Sequence, residues 1–197
     1  MDMRRALPDS LLSGLSEFVA LRMGLHFPKE RWRDLERGIA AAARDLDFPD
    51  AESCACWLLS AAPARSQIEV IASHLTVGET YFFREPRSFE ILEQHILPEI
   101  IRSRAGAERR LRIWSAGCAT GEEPYSIAML LDRLLPDAGE WNVALLATDV
   151  NPRFLGKAAE GVYGAWSFRG MPASIRERYF KTRRNERFEL DPRIRKR

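Results

Sequence analysis

The run Ser115-Ala116-Gly117-Cys118-Ala119-Thr120-Gly121 lies between an apolar stretch, residues 111–114, and a helix-forming stretch that opens at Glu122. Small residues at a strand-to-helix turn let a ligand approach the backbone closely. The first turn of the helix adds N–H groups that have no partner inside it. Asp149 closes the next apolar run, Asn142–Thr148. A carboxylate at that point can accept hydrogen bonds from both hydroxyls of a ribose. Strand, small-residue turn, helix, strand and acid together describe a nucleoside site. The dinucleotide fingerprint needs G-x-G-x-x-G with an acid about 20 residues further on. Here the turn is GCATG, and Asp149 stands 32 residues after Gly117. The helix also opens with Glu122-Glu123, whose charge would repel a pyrophosphate. A neutral or cationic adenosine derivative suits this turn, and S-adenosylmethionine, with a sulfonium and no phosphate, is one. A ligand-free tight turn with a helix-capping acid would leave the same trace.

A second constellation is Thr80-Tyr81-Phe82-Phe83-Arg84-Glu85, two residues beyond Gly78. Two adjacent phenylalanines can pack inward and hold a hydroxyl, Thr80, and a guanidinium, Arg84, at a pocket mouth. A core hairpin or a helix cap would look the same. The three cysteines, Cys54, Cys56 and Cys118, are too few for a disulfide framework. Cys54-x-Cys56 lacks metal-ligand spacing and a second ligand pair, so no metal site is expected. All three are read as reduced thiols in a cytoplasmic protein, with Cys54 and Cys56 packed in a helix and Cys118 in the ligand turn.

These residues need elements to hold them. Residues 1–75 read as wholly helical. Asp9 and Ser10 are candidate caps for a helix with an apolar stripe at Leu11, Leu12, Leu15, Phe18, Val19 and Met23, closed by Gly24. Pro28 suits the first turn of the next helix, through Trp32, Leu35, Ile39 and Ala43. A third covers residues 54–59, and a fourth starts near Ser66. Together they would form a small helical bundle, whose plainest role is scaffold or docking. After Thr76 a helix spans residues 86–101. The order strand 111–114, helix 122–135, strand 142–148, helix 152–159 then implies a parallel α/β sheet with right-handed crossovers. Asn151 can cap the last helix.

The chain has 197 residues, 46% hydrophobic and 29% charged, the composition of a globular protein. No run reaches the roughly 18 uncharged apolar residues of a membrane helix, and Glu17 and Arg22 break up the only segment that could pass for a signal peptide. The net charge of +2 hides an asymmetry. Residues 1–75 carry 9 basic and 11 acidic side chains, residues 76–152 carry 8 and 12, and residues 153–197 carry 13 and 5. The basic end could attract nucleic acid or an acidic protein. Acidic residues interrupt it and no aromatic stacking ladder accompanies it, so a solvated strand-and-loop face is the simpler reading.

TYFFRE at residues 80–85, WSAGCATGEEPYSIAMLL at 114–131 and ATDVNPRFLGKAAEGVYG at 147–164 resemble the CheR family of chemotaxis-receptor methyltransferases. The resemblance covers most of residues 66–180, and Thr120-Gly121-Glu122-Glu123-Pro124-Tyr125-Ser126 is its most specific part. It implies a helical N-terminal domain, residues 1–75, followed by a class I, Rossmann-like methyltransferase domain, residues 76–197. The implied activity is methyl transfer from S-adenosylmethionine to glutamates of a chemoreceptor cytoplasmic domain or another protein, leaving S-adenosylhomocysteine. By position, Thr80 and Arg84 would lie at the methionine end of the cofactor, Glu123 would meet its amino group, Gly117 would line the turn and Asp149 would hold the ribose. Arg84 is the candidate catalytic residue.

The family often has asparagine where Gly78 stands, so one cofactor contact is expected to be missing. Its row of docking arginines survives as Arg31, Arg33, Arg37 and Arg44, with Gly38 and alanines 40–43 in place of the rest, which leaves the identity of the methyl acceptor open. A class I domain has seven strands, and this sequence ends within what resembles the family's small β-insertion, near Arg187-Phe188-Glu189-Leu190. The expectation is an N-terminal portion of the enzyme that by itself is inactive, binds the cofactor weakly and self-associates. Two other readings stand beside it: a non-catalytic protein-binding descendant of the family, and a nucleic-acid-binding module using the basic end.

Overall fold

The computed structural model describes residues 6–106, 109–135 and 137–196. The chain divides into two compact units. One extends to Val77 and takes in Val150–Pro152; the other comprises Gly78–Asp149 and the residues from Arg153 onward.

The first unit is built on four helices. Helix α1, Asp9–Met23, starts one step earlier than its expected caps. Pro8 is the N-cap, its carbonyl takes the amides of Leu11 and Leu12, and Asp9 sits in the first turn, where a carboxylate favours the positive end of the helix. Gly24 ends α1 in the left-handed conformation at φ 69°. Pro28 precedes a single 3-10 turn, Lys29–Arg31, before α2, Trp32–Asp45. Helix α3, Ala51–Ser60, is capped by Asp50, whose carboxylate accepts from the Ser53 amide at 2.7 Å and is held below its ordinary pKa by that bond. Helix α4, Arg65–Leu75, starts where the Gln67 side chain accepts from the Ala64 amide at 2.8 Å.

Leu12, Leu15, Val19, Leu35, Ile39, Ala42, Cys54, Leu58, Ile71 and Leu75 form the core of this unit. Helices α2 and α4 make its most extensive contact, and Gly38 lies in it. A Cβ on Gly38 would stand 2.4 Å from Leu75 Cδ2 and 3.0 Å from the His74 carbonyl oxygen. On the outer face Arg31 and Arg37 both pair with Asp34, and Arg44 donates to the Ala40 carbonyl. Two of the four arginines expected to form a docking row thus share one carboxylate, which balances one of their two charges.

In the second unit, the helix expected over residues 86–101 is α5, Pro86–Ile91, a π-helical turn, Leu92–Ile96, and α6, Leu97–Arg104. Pro98 explains the turn: it has no amide to donate and its ring would collide with the carbonyl four residues back. Strand β1, Arg110–Ala116, pairs in parallel with β2, Asn142–Thr148, with Ile113 opposite Leu145. Helix α7, Glu122–Leu134, lies between them in sequence. Its Ile127, Leu130 and Leu131 pack with Leu111, Ile113, Val143 and Leu145 on one face of the pair. Trp114 and Leu146, opposite each other on the other face, are 67% and 59% exposed.

After β2 come α8, Pro152–Glu160, strand β3, Val162–Gly164, a 3-10 turn, Ala165–Phe168, helix α9, Ala173–Tyr179, strands β4, Phe180–Arg183, and β5, Arg187–Leu190, and a final turn of helix, α10, Pro192–Arg195. The three strands form a separate antiparallel sheet in the order β3-β5-β4. Several basic side chains of this end have partners within it: Arg183 pairs with Glu189 at 2.7 Å, Arg193 of α10 with Asp191 at 2.9 Å, and Arg195 of α10 donates to the Glu160 carbonyl. Among the described residues no helix is long and apolar enough to cross a membrane.

The contact at Gly38 reverses an ordinary expectation. Gly to Ala inside a helix usually adds up to about 1 kcal/mol of stability. Here the new methyl meets a backbone oxygen that cannot swing aside, and such overpacking costs about 1–3 kcal/mol. Gly38→Ala should therefore lower the urea midpoint of the chain. A raised midpoint would mean that α2 and α4 are not packed this closely.

Candidate functional site

The turn from β1 to α7 is held by hydrogen bonds to the end of β2. The amides of Gly117 and Cys118 both donate to the Thr148 carbonyl, at 2.8 and 2.9 Å, and the Ala119 amide donates to Asp149 Oδ2 at 2.8 Å. Gly121 then donates to the Cys118 carbonyl at 2.9 Å and enters α7 with φ 94°. No side chain fits there: a Cβ on Gly121 would be 2.8 Å from that of Ala158 and 3.1 Å from the Tyr163 hydroxyl oxygen. Gly117, at φ 74°, differs: nothing lies within 4 Å of where its Cβ would be, so its backbone is open to a ligand.

The sequence suggested free N–H groups in the first turn of the helix itself; in the loop that precedes it, the amides of residues 117, 118, 119 and 121 are committed inside the protein. A phosphate would lack those donors, whereas a ligand that brings its own donors or a positive charge finds carboxylates. The donor set therefore fits an adenosine derivative without phosphate.

The two adjacent glutamates separate. Glu122 is only 2% exposed. Glu123 faces outward, accepts from the Ser115 hydroxyl at 2.6 Å, and lines a cleft of about 420 Å³ together with Arg84, Glu85, Ser88, Phe89, Leu92 and Ile127. Arg84 and Glu123, 39 residues apart in sequence, thus share one cleft. Thr80, Gly117 and Asp149 do not line it. Asp149 sits behind the turn as its hydrogen-bond acceptor, and Thr80 is half-buried on the segment that leads to Arg84.

That segment is anchored by its phenylalanines. Phe82 is fully buried, with ring centroids 4.8 Å from Tyr163, 5.2 Å from Phe168 and 5.0 Å from Phe180. Phe83 meets Phe89 at 5.2 Å. Arg84 stays exposed and donates to the Glu79 carbonyl. On either side of it, Phe83 at φ 55° and Glu85 at φ 60° occupy the left-handed region, which costs a non-glycine residue on the order of 1–3 kcal/mol and persists only when neighbours enforce it. No pattern in the sequence signalled this backbone. Gly78 has a packing reason: its Cβ would lie 2.6–3.0 Å from the Phe154 ring, so Phe154 fills the space an asparagine there would need.

Cys54 and Cys118 are buried, and Cys56, expected to pack in its helix, is exposed. Spaced two apart on α3, Cys54 and Cys56 point to different sides. Burial pushes the Cys54 thiol up to about 11. Burial, and after it the charge of Asp149, raises that of Cys118. Alkylation should follow thiolate content and access. Iodoacetamide near neutral pH should modify Cys56 first, with Cys118 and Cys54 protected until the chain unfolds, as read by peptide mass spectrometry. Early labelling of Cys118 would contradict the packing of the turn.

Asp149 holds the turn through the Ala119 amide, and its expected contact with a ribose can be tested apart from that. Asp149→Asn keeps an oxygen for the Ala119 amide and loses the charge; Asp149→Ala loses both. With hydrogen bonds to a charged acceptor worth about 1.5–3 kcal/mol, Asp149→Asn should weaken S-adenosylhomocysteine binding about tenfold or more with little change in melting temperature, while Asp149→Ala should lower both. Calorimetric titration and thermal melting check this, and unchanged affinity in Asp149→Asn would remove the carboxylate from the ligand site.

Residues 78–197 match the CheR methyltransferase, SAM binding domain. The chain is 34% identical over 145 residues to the "Probable chemotaxis protein methyltransferase" of Rhizobium etli, covering 72% of this chain and 53% of that protein. It is 37% identical over 124 residues to chemotaxis protein methyltransferase 2 of Vibrio cholerae, covering 63% and 42%. Over 147 residues it is 41% identical to the "Probable biofilm formation methyltransferase WspC" of Pseudomonas putida, covering 74% and 31%. The chain spans about half the length of the first two of these relatives. The domain match takes in more than half of the chain together with the β1–α7 turn, Glu123 and Asp149, so the chain belongs to the CheR methyltransferase family and its cofactor is S-adenosylmethionine.

Proposed function

We propose that this chain supplies the methyl-donor site of a protein-glutamate O-methyltransferase acting in the cytoplasm on chemoreceptors or related signalling proteins. The observation that carries the proposal is the shared cleft of Arg84 and Glu123 beside the β1–α7 turn. In this reading the matched region is a class I, Rossmann-like domain, and residues 1–75 form a helical docking domain.

S-adenosylmethionine, when bound, supplies a methyl carbon activated by a sulfonium, with S-adenosylhomocysteine as the product. The remaining work falls to the chain. Asp149 holds the ribose, and the open backbone at Gly117 lets the nucleoside lie close. Glu123, kept in place by Ser115, balances the positive charge of the methionine end. Thr80 and Arg84 complete that end. A glutamate side chain has a pKa near 4.3 and is already a carboxylate at pH 7, so no general base is required. Arg84 orients the acceptor carboxylate with its fork of donors. Alignment and exclusion of water then provide the acceleration. Methylation removes one negative charge from the acceptor, which gives the product an electrostatic readout.

A second reading is a binding protein without transferase activity, in which the apolar face of the β1–β2 pair would meet a partner. A parallel sheet is ordinarily covered on both sides, and Trp114 and Leu146 are exposed here. The resemblance to a biofilm formation methyltransferase also keeps the acceptor open to sensory proteins outside chemotaxis.

Arg84 separates the readings. Lysine keeps the charge and loses the planar fork, so Arg84→Lys should leave the melting temperature within a few degrees. Placed in an otherwise complete enzyme, the same variant should transfer methyl from labelled S-adenosylmethionine to a chemoreceptor cytoplasmic fragment at least about tenfold more slowly than wild type, or ~1.4 kcal/mol. Full activity in the variant would make the position structural. No transfer by either protein, with cofactor binding intact, would favour the binding reading.

A further inference from the structure

Glu122 is the buried member of the glutamate pair and the first residue of α7. Its Oε2 accepts from the Thr120 hydroxyl at 2.6 Å, inside the β1–α7 turn. Its Oε1 accepts from the Ser167 hydroxyl at 2.9 Å, and the Ser167 carbonyl accepts from the Phe82 amide at 2.9 Å. Its own backbone carbonyl accepts from the Ser126 hydroxyl at 2.6 Å, and that hydroxyl oxygen accepts from the Phe83 amide at 3.0 Å. Two relays therefore run from one residue to two consecutive amides, and Arg84 follows them directly. Phe83 is one of the two left-handed residues that flank Arg84.

We propose that Glu122 is a positioning residue that couples the β1–α7 turn to the strained segment presenting Arg84. The inference rests on the role proposed above for Arg84. A backbone at positive φ returns to a commoner conformation when its hydrogen bonds are released. The Ser167 and Ser126 relays restrain it at Phe82 and Phe83, so the guanidinium is delivered to the cleft in one orientation. Through Thr120 the same carboxylate sets the turn. A buried carboxylate needs such donors, because leaving it unsatisfied is costly.

The test uses the whole chain labelled with ¹⁵N. The Nε–H resonance of Arg84 is identified by its loss in Arg84→Lys. Glu122→Gln keeps the shape and breaks the pattern of two accepting oxygens. It cuts the Ser167 relay and leaves the Ser126 relay, which starts at the Glu122 backbone carbonyl, so it should shift the Phe82 amide, shift the Arg84 Nε–H resonance and reduce its heteronuclear NOE. A merely structural Glu122 would lower the melting temperature and leave the Arg84 resonance in place, and that result overturns the proposal. Should Glu122→Gln fail to fold, Ser126→Ala combined with Ser167→Ala cuts both relays further from the turn and must move the same resonance; an unmoved Arg84 there overturns it equally. Binding of S-adenosylhomocysteine to wild type and to Arg84→Lys, measured separately, tests the role of Arg84 in the site, so the two readings fail by different observations.

Discussion

Three successive amides of the β1–α7 turn, those of residues 117, 118 and 119, are bound by two adjacent groups at the end of β2, the Thr148 carbonyl and the Asp149 carboxylate. This constraint organises the second unit. It fixes the approach of the two parallel strands at the end where a ligand can bind. It also sets the sharp entry to α7 through Gly121, where the close approach of Ala158 and Tyr163 leaves no room for a side chain. Once α7 is so placed, Glu122 faces the protein and Glu123 faces the cleft. In parallel α/β sheets ligands gather at the carboxyl ends of the strands, and the turn lies at that end.

The electrostatic character of the site follows. The turn spends three of its amides on the end of β2, while the carboxylates of Glu123 and Asp149 stand beside it. A cofactor with a sulfonium and an ammonium group suits such an arrangement. Arg84 is the counterweight, a cation in the same cleft as Glu123. Its placement depends on an aromatic cluster of Phe82, Tyr163, Phe168 and Phe180, drawn from the TYFFRE segment, β3, the 3-10 turn and β4. The small antiparallel sheet thus contributes to the site from a distance, by anchoring the segment that carries Arg84.

The parts of this architecture legible in the sequence were those written as local pattern. The small-residue run 115–121, the apolar strand 142–148 and the acid after it are contiguous and have a periodicity, and the structure places them as strand, turn and strand. Gly24 as a helix stop was equally plain. What escaped depends on contacts between distant residues. Glu122 and Glu123 are the same residue type side by side, and only the orientation of α7 decides which is buried. The left-handed Phe83 donates its amide to Ser126, 43 residues further along the chain. The filling of the space beside Gly78 by Phe154 could not be read from either residue alone. Asp9 was misplaced as a cap because Pro8 supplies the non-helical entry itself. Pro98, in contrast, carried a readable signal for the π turn, a helix-breaking ring amid a helical stripe.

The central claim is that the β1–α7 turn and the Arg84–Glu123 cleft form one cofactor site. The most direct measurement is a backbone amide map of the ¹⁵N-labelled chain titrated with S-adenosylhomocysteine. The account predicts saturable shifts concentrated at Thr80, Arg84, the turn from Gly117 to Glu123, and Asp149, with the small antiparallel sheet little affected. Shifts confined to other surfaces, or no saturable shift at millimolar ligand, would contradict it.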